Sequence, residues 1–106
     1  MTDLPPTLTP VEASALLDGP DAPLLIDVRE VSEWNEVHIP GALLIPVEQL
    51  EERWREVPRD GKALIVYCAS GGRSAAACEF LASKGFDSLT NLDAGYSGWN
   101  GPRAKP

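Results

Sequence analysis

A cysteine and an arginine enclose a short glycine-containing segment in the second half of the 106-residue chain. An apolar run at residues 63–67 precedes this segment, a helix-forming run starts near Ser74, and the segment itself reads Cys68-Ala69-Ser70-Gly71-Gly72-Arg73. A loop between a strand and a helix can turn its backbone N–H groups toward one point, where the helix dipole adds positive potential. The segment is therefore typical of a loop that cradles an anion beside a cysteine.

The same surroundings predict that Cys68 is a nucleophile. A free thiol has a pKa of ~8.5 and is mostly protonated at neutral pH. A helix N-terminus and the nearby Arg73 both favour the thiolate, which is the reactive form. Gly71 and Gly72 support this interpretation, because we expect so tight a loop to need backbone with positive φ.

Several residues near the cysteine also have structural interpretations. Ser70 and Ser74 could hydrogen-bond the thiolate or cap the helix, and capping is a common role for serine at this position. Asp27 and Arg29 follow another short apolar run. They could form an acid–base set with Cys68, but we favour a buried salt bridge that supports the rim of the site. Neither residue is predicted to be catalytic.

The second cysteine, Cys78, has a different predicted role. If the helix begins near Ser74, Cys78 lies more than a turn inside it, and its Cα should be farther from that of Cys68 than the ~7 Å that a disulfide spans. Cys78 shares a helical face with Leu81 and is predicted to fill the core. His38 is the single histidine, which argues against a multi-histidine metal site. We expect no metal and no cofactor.

Strands and helices alternate along the chain. Continuous apolar runs predict buried strands at residues 23–28, 43–45, 63–67 and 88–92. Caps, stops and helical spacing predict helices at residues 9–19, 32–37, 46–58 and 74–84, with a turn at 59–61. This alternation indicates an α/β fold with a mostly parallel sheet, in which ligands bind at the carboxyl ends of the strands. Cys68 falls at such an end.

Composition limits the function further. A length of 106 residues with 43% hydrophobic content predicts one domain, with a core at about 9–99 and disordered tails at about 1–6 and 101–106. The net charge of −7 argues against nucleic acid and anionic membranes as partners. The first residues lack the basic and apolar regions of a signal peptide, so we expect a cytoplasmic protein with reduced thiols.

Motifs along nearly the whole chain resemble a rhodanese domain. In order they are Leu24-Leu25-Ile26-Asp27-Val28-Arg29-Glu30, Glu33-Trp34, His38-Ile39-Pro40-Gly41-Ala42, the Cys68 to Arg73 loop, Asn91-Leu92-Asp93, Gly95 and Trp99. The resemblance implies a three-layer α/β/α domain with a sheet of about five strands. It also implies that His38 belongs to a structural turn.

By this resemblance, the expected activity is that of a sulfurtransferase. Cys68 would take sulfane sulfur from a small anionic donor such as thiosulfate, hold it as a persulfide, and pass it to cyanide, a low-molecular-weight thiol or a protein cysteine. Residues Ala69 to Ser74 would bind the persulfide through backbone amides. Ala69 departs from several thiosulfate-active relatives, which have a basic residue there, so thiosulfate is expected to be a poor donor.

Two other functions fit the same residues. A phosphatase or arsenate reductase is one alternative, because the related cell-cycle phosphatases hold a tetrahedral oxyanion with a cysteine and an arginine across a similar loop. The phosphatase loop, however, has one residue more than the four between Cys68 and Arg73. A non-catalytic protein-binding module is the other alternative, and inactive relatives usually lose the cysteine that this chain keeps. Val37 and Ala94 also depart from glycines common in the family, at positions away from the predicted sulfur site.

Overall fold

The computed structural model describes residues 7–59, 62–92 and 95–104. In these ranges five strands alternate with four α-helices: β1 (Thr7–Leu8), α1 (Pro10–Leu17), β2 (Leu24–Asp27), α2 (Val31–Glu36), β3 (Leu43–Leu44), α3 (Leu50–Arg53), β4 (Leu64–Tyr67), α4 (Gly72–Ser83) and β5 (Leu89–Leu92). Short 3₁₀ helices cover Val47–Gln49, Trp54–Glu56 and Tyr96–Gly98. The predicted alternation of strands and helices is confirmed.

The strands form one sheet in the order β1-β5-β4-β2-β3. Every described strand pair is parallel, with Asp27 opposite Tyr67 between β2 and β4. The predicted parallel sheet of about five strands is therefore confirmed. Strand β4 lies at its centre, so the residue that follows it emerges in the middle of the carboxyl edge.

Side chains of both sheet faces are buried under helices. Ile26 and Val66 point to one face, where they join buried residues of α3 and α4. Leu25 and Ile65 point to the other face, where they join Ala13 of α1. Alternate residues of a strand face opposite sides, so continuous apolar runs are what a sheet covered on both faces requires. The predicted three-layer α/β/α architecture is confirmed.

Helix α1 has the predicted start and stop. The Thr9 hydroxyl accepts a hydrogen bond from the backbone N–H of Glu12 at 3.2 Å, and the Glu12 carboxylate accepts one from the Thr9 N–H at 2.9 Å. This reciprocal capping box satisfies two N–H groups that the helix itself leaves unpaired. The helix ends at Leu17, two residues before Gly19.

Several boundaries differ from the predicted ones. The expected helix at 46–58 is divided into two 3₁₀ segments around the four-residue α3, since short helical runs often tighten at their ends. Helix α4 begins at Gly72, two residues before the predicted Ser74, because the backbone turns into the helix at Gly71. Strand β1 was not predicted.

The chain after Trp99 makes a backbone contact that the sequence did not predict. Ala104 pairs with His38, the two residues exchanging backbone hydrogen bonds of 2.9 and 2.8 Å. These bonds hold Ala104 against the segment after α2. Residues 1–6 and 105–106 of the predicted tails, two residues of the predicted turn at 59–61, and Ala94 lie outside the described residues.

Candidate active site

Cys68 directly follows β4, and its side chain is buried with 1% of the residue exposed. Groups of Gly71 and Ser74 are placed to donate hydrogen bonds to its sulfur. The N–H of Gly71 lies 3.0 Å from Sγ, and the N–H and hydroxyl of Ser74 each lie 3.4 Å from it. Of the loop predicted to cradle an anion, the amides of Gly71 and Ser74 therefore point at the sulfur, and the Ser74 side chain joins them.

These hydrogen bonds determine the acidity of the thiol. Burial raises the pKa of Cys68, but hydrogen bonds from the Ser74 hydroxyl and from the amides of Ser74, Gly71 and Ser70 outweigh it and lower the pKa below its ordinary value. Burial alone raises the pKa of Cys78 to about 11. Cys68 is therefore the thiol that ionises first, and both cysteines are free.

The two glycines of the loop have different conformations. Gly71 has a φ of +104°, in the left-handed region, and directs its N–H at the sulfur. This confirms the prediction for Gly71. Gly72 is the first residue of α4 and does not have positive φ, so the prediction for Gly72 was wrong. One reversal of the backbone is enough to start the helix.

Arg73 is paired with a residue that the sequence did not single out for the site. Its Nη1 and Nη2 atoms contact the Oε1 and Oε2 atoms of Glu33 at 2.8 and 3.1 Å. The hydrogen bonds from Arg73 lower the pKa of Glu33 to about 2, and Glu33 raises the pKa of Arg73 in turn. The Arg73–Glu33 pair thus joins the loop to α2.

Asn91 on β5 supports the loop from behind. Its Nδ2 donates to the Gly71 carbonyl at 3.1 Å, and its Oδ1 contacts the Ser74 hydroxyl. Asn91 lies opposite Val66 of β4 in the sheet register. A polar amide next to Leu92 in strand β5 was the one available sequence signal for this role, because a partly buried amide needs hydrogen-bond partners.

Asp27 and Arg29 form the predicted buried salt bridge. Arg29 Nη2 lies 2.8 Å from Asp27 Oδ2, and Arg29 also donates to the Val37 carbonyl at 2.8 Å. The guanidinium lies over the rings of Tyr67 and Tyr96. The pair thus connects the carboxyl end of β2 with Val37 and with the rings of Tyr67 and Tyr96. These contacts are those of a structural support.

A segment that follows β5 holds the cysteine loop in place. The Tyr96 N–H donates to the Cys68 carbonyl at 2.7 Å, and the Ser97 N–H donates to the Ala69 carbonyl at 2.9 Å. Ala69 is half-buried and Ser70 is exposed. The start of the loop is therefore held through the carbonyl groups of its first two residues.

His38 has a structural setting. Its ring stacks on Trp34 with a centroid distance of 3.4 Å, and its Nδ1 lies 3.0 Å from the Trp34 carbonyl oxygen. Within the described ranges, no group of three potential ligands is arranged to hold a metal ion. Among the helices described, none combines the length and apolar character needed to cross a bilayer.

Comparisons with known proteins agree with this arrangement. The model of the rhodanese-like domain family matches residues 9–102. A sulfurtransferase of Allochromatium vinosum is 37% identical over 76 residues, which cover 72% of this chain and 70% of the relative. The thiosulfate sulfurtransferase GlpE of Tolumonas auensis is 28% identical over 88 residues, covering 83% and 81% of the two chains.

Solved structures give the same result. A rhodanese-related protein from Thermoplasma volcanium superimposes with a TM-score of 0.85 at 30% identity, covering 94% of this chain and 98% of that one. Some curated relatives are longer proteins, and this chain covers 24% of the length of one of them and 45% of the length of another. The chain belongs to the rhodanese-like domain family, and its relatives support a function of the sulfurtransferase type.

Proposed function

We propose that this protein transfers sulfane sulfur by double displacement through a persulfide on Cys68. The observation that carries the proposal is the set of three donors, from Gly71 and Ser74, around one buried sulfur with a lowered pKa. A buried thiolate is a strong nucleophile only if such donors stabilise it. The same donors suit a persulfide, whose terminal sulfur is also anionic.

The first half-reaction loads the sulfur. The Cys68 thiolate attacks the outer sulfur of a donor such as thiosulfate, a new S–S bond forms, and sulfite departs with the electron pair of the broken bond. The negative charge stays within reach of the loop amides, which act as fixed dipoles in a water-poor site. No separate general base is required, because the attacking group is already ionised.

The second half-reaction unloads it. A thiophilic acceptor attacks the terminal sulfur and regenerates the Cys68 thiolate, which the loop stabilises again as leaving group. We propose cyanide as a laboratory acceptor and a low-molecular-weight thiol or a protein cysteine as the natural one. We propose no nucleic-acid or membrane partner, in keeping with the net charge of −7. A cytoplasmic location is part of the proposal, since a reducing compartment keeps both thiols free.

The phosphatase alternative is less well supported by the site. A phosphate monoester needs a cation to hold its equatorial oxygens, and Arg73 is engaged by both oxygens of Glu33. The loop between Cys68 and Arg73 also has only four residues. A non-catalytic binding module would not require a thiol with a lowered pKa.

Intact-mass measurement tests the proposal directly. Incubation with thiosulfate or with a small-molecule persulfide should add the mass of one sulfur atom to the protein, and a reductant should remove it. Cys68→Ser should load no sulfur, whereas Cys78→Ser should load it at a near-normal rate because Cys78 lies away from the loop. Equal losses in both variants would instead indicate a dithiol mechanism. No loading from either donor would contradict the proposed function.

A further inference from the structure

The cation of the cysteine loop is neutralised within the molecule. Arg73 and Glu33 meet with two nitrogens on two oxygens, at 2.8 and 3.1 Å. The side chains of Arg73 and Glu33 are 36% and 31% exposed, so the pair lies at the surface of the site. A two-pronged contact uses the edge of the guanidinium that best fits a carboxylate or a sulfonate. Glu33 therefore occupies this edge of the guanidinium and offsets its charge toward an incoming anion.

The rest of the sulfur site offers neutral donors. Gly71 and Ser74 direct neutral groups at Cys68 Sγ, namely two backbone amides and the Ser74 hydroxyl. Thiosulfate is a dianion, and so is the sulfite that it releases. A molecule with a net charge of −7 repels such a donor at long range. The site is better matched to sulfane sulfur carried on a group without further charge.

We propose that Glu33 determines donor selectivity: by holding Arg73 it disfavours thiosulfate and favours persulfides carried on a thiol. The inference rests on the proposed sulfur-transfer function. In the favoured reaction the Cys68 thiolate attacks the outer sulfur of R–S–SH. The bond from Cys68 to that sulfur forms, the R–S bond to it breaks, and R–S⁻ leaves with the electron pair. Cys68 retains –S–SH, and the exchange needs no outside oxidant or reductant.

Glu33→Gln is the direct test, because it removes the charge and keeps the shape of the side chain. The rate constant for loading Cys68 is measured by mass spectrometry with two donors, thiosulfate and the persulfide of N-acetylcysteamine. We expect loading by thiosulfate to become about tenfold faster, since Arg73 is released toward the anion. Loading by the persulfide should stay within about twofold of the wild-type rate.

Glu36→Gln is the matched control, because Glu36 is an exposed residue at the end of the same helix α2. It removes the same charge from the molecule and should change neither rate by more than about twofold. Equal acceleration in both variants would mean that the net charge of the molecule, and not Glu33, limits the rate of loading by thiosulfate. An unchanged ratio of the two rates in Glu33→Gln would overturn the inference and leave the sulfur-transfer function standing. If neither donor loads wild-type Cys68, the result contradicts both this inference and the proposed sulfur-transfer function.

The wild-type protein gives a second test that does not depend on a variant that folds. If Arg73 is neutralised, salt screens the repulsion of thiosulfate, and loading should accelerate as NaCl rises from about 20 to about 200 mM. Loading by the N-acetylcysteamine persulfide should depend less on salt. A rate with thiosulfate that falls as salt rises would show an effective cationic cradle and contradict the inference.

Discussion

Among single residues, Ser74 contributes most to the ionisation of the Cys68 thiol. Cys68 is almost fully buried, and an isolated thiolate in such a place would be costly. Ser74 offers the sulfur both an N–H and a hydroxyl, and its hydroxyl also contacts Asn91 on β5. The acidity of Cys68 is thus coupled to the sheet behind the loop as well as to the loop itself.

Ser74→Ala should therefore make Cys68 less reactive. The substitution removes the hydroxyl that lowers the pKa of the thiol and keeps the backbone N–H. Since a higher pKa leaves less thiolate at neutral pH, alkylation by iodoacetamide at pH 7 should slow severalfold, and its pH midpoint should move upward. Ser83→Ala is the control, because its hydroxyl bonds to the Phe80 carbonyl at the far end of α4. Equal profiles for both variants would contradict this account.

The sequence predicted part of the site for a physical reason. The strand, the cysteine and Gly71 are neighbours in the chain, so local spacing is enough to place them together. Glu33 and Asn91 reach the loop from 40 and 17 residues away, through the pairing of separate elements. Spacing along one chain carries no information on such contacts. The predicted environment of Arg73 was incomplete for this reason.

Among the elements, helix α4 depends on how its first residues turn. Gly71 has φ +104° and accepts the first helical hydrogen bond from Ala75 at 3.0 Å, whereas Gly72 is already helical. Gly71→Ala should lower the free energy of unfolding by about 1–2 kcal/mol, because a side chain strains this backbone. It should also slow persulfide loading, since the Gly71 N–H would turn from the sulfur.

Gly72→Ala provides the contrast within the same loop. A Cβ at Gly72 would meet nothing within 4 Å, and alanine restricts the unfolded chain more than glycine does. We expect this variant to be as stable as the wild type or more stable by ~0.5 kcal/mol, and to load sulfur normally. Urea denaturation of both variants checks the pair. Equal destabilisation would show that the conformation of Gly71 is not the critical feature.

The elements that were predicted best are those whose signal is local. Strands β2 and β4 are continuous apolar runs, and α1 has a capping box, so short-range patterns define them. Strand β1 has two residues and exists because Thr7 and Leu8 pair with β5. The short α3 is likewise fixed by packing of Leu50 in the core. Tertiary contacts decide whether β1 forms and where α3 begins and ends, and local sequence patterns do not fix these features.

For the molecule as a whole, the burial of Cys78 makes the free energy of unfolding depend on pH in the alkaline range. Cys78 lies on α4 and packs against the core, and burial raises its pKa to about 11. A raised folded pKa contributes stability below the unfolded value, and this stability is lost as pH rises from about 9 to 11. Wild type should lose up to about 2 kcal/mol more than Cys78→Ala over this interval. Denaturant titrations at several pH values check this, and parallel curves would contradict it.

The segment that follows β5 completes the site from another part of the chain. Gly95, with φ +52°, brings the backbone against the loop, where Tyr96 and Ser97 bind the carbonyls of Cys68 and Ala69. A Cβ at Gly95 would lie 2.8 Å from the Ala69 carbonyl carbon and closer still to the Cys68 oxygen. Both atoms are backbone, so neither can move aside alone.

Gly95→Ala should therefore affect stability and reactivity together. We expect the free energy of unfolding to fall by about 2–3 kcal/mol, and the displaced loop to lose much of its rate of sulfur loading. Ser97→Ala is the control, because the backbone N–H of Ser97 makes the contact and its side chain is exposed. Urea denaturation and loading of Cys68 are measured on the same samples. If Gly95→Ala loses stability but loads sulfur at the normal rate, the loop amides hold their positions without the segment after β5. The sulfur site would then depend on β4, α4 and Asn91 alone.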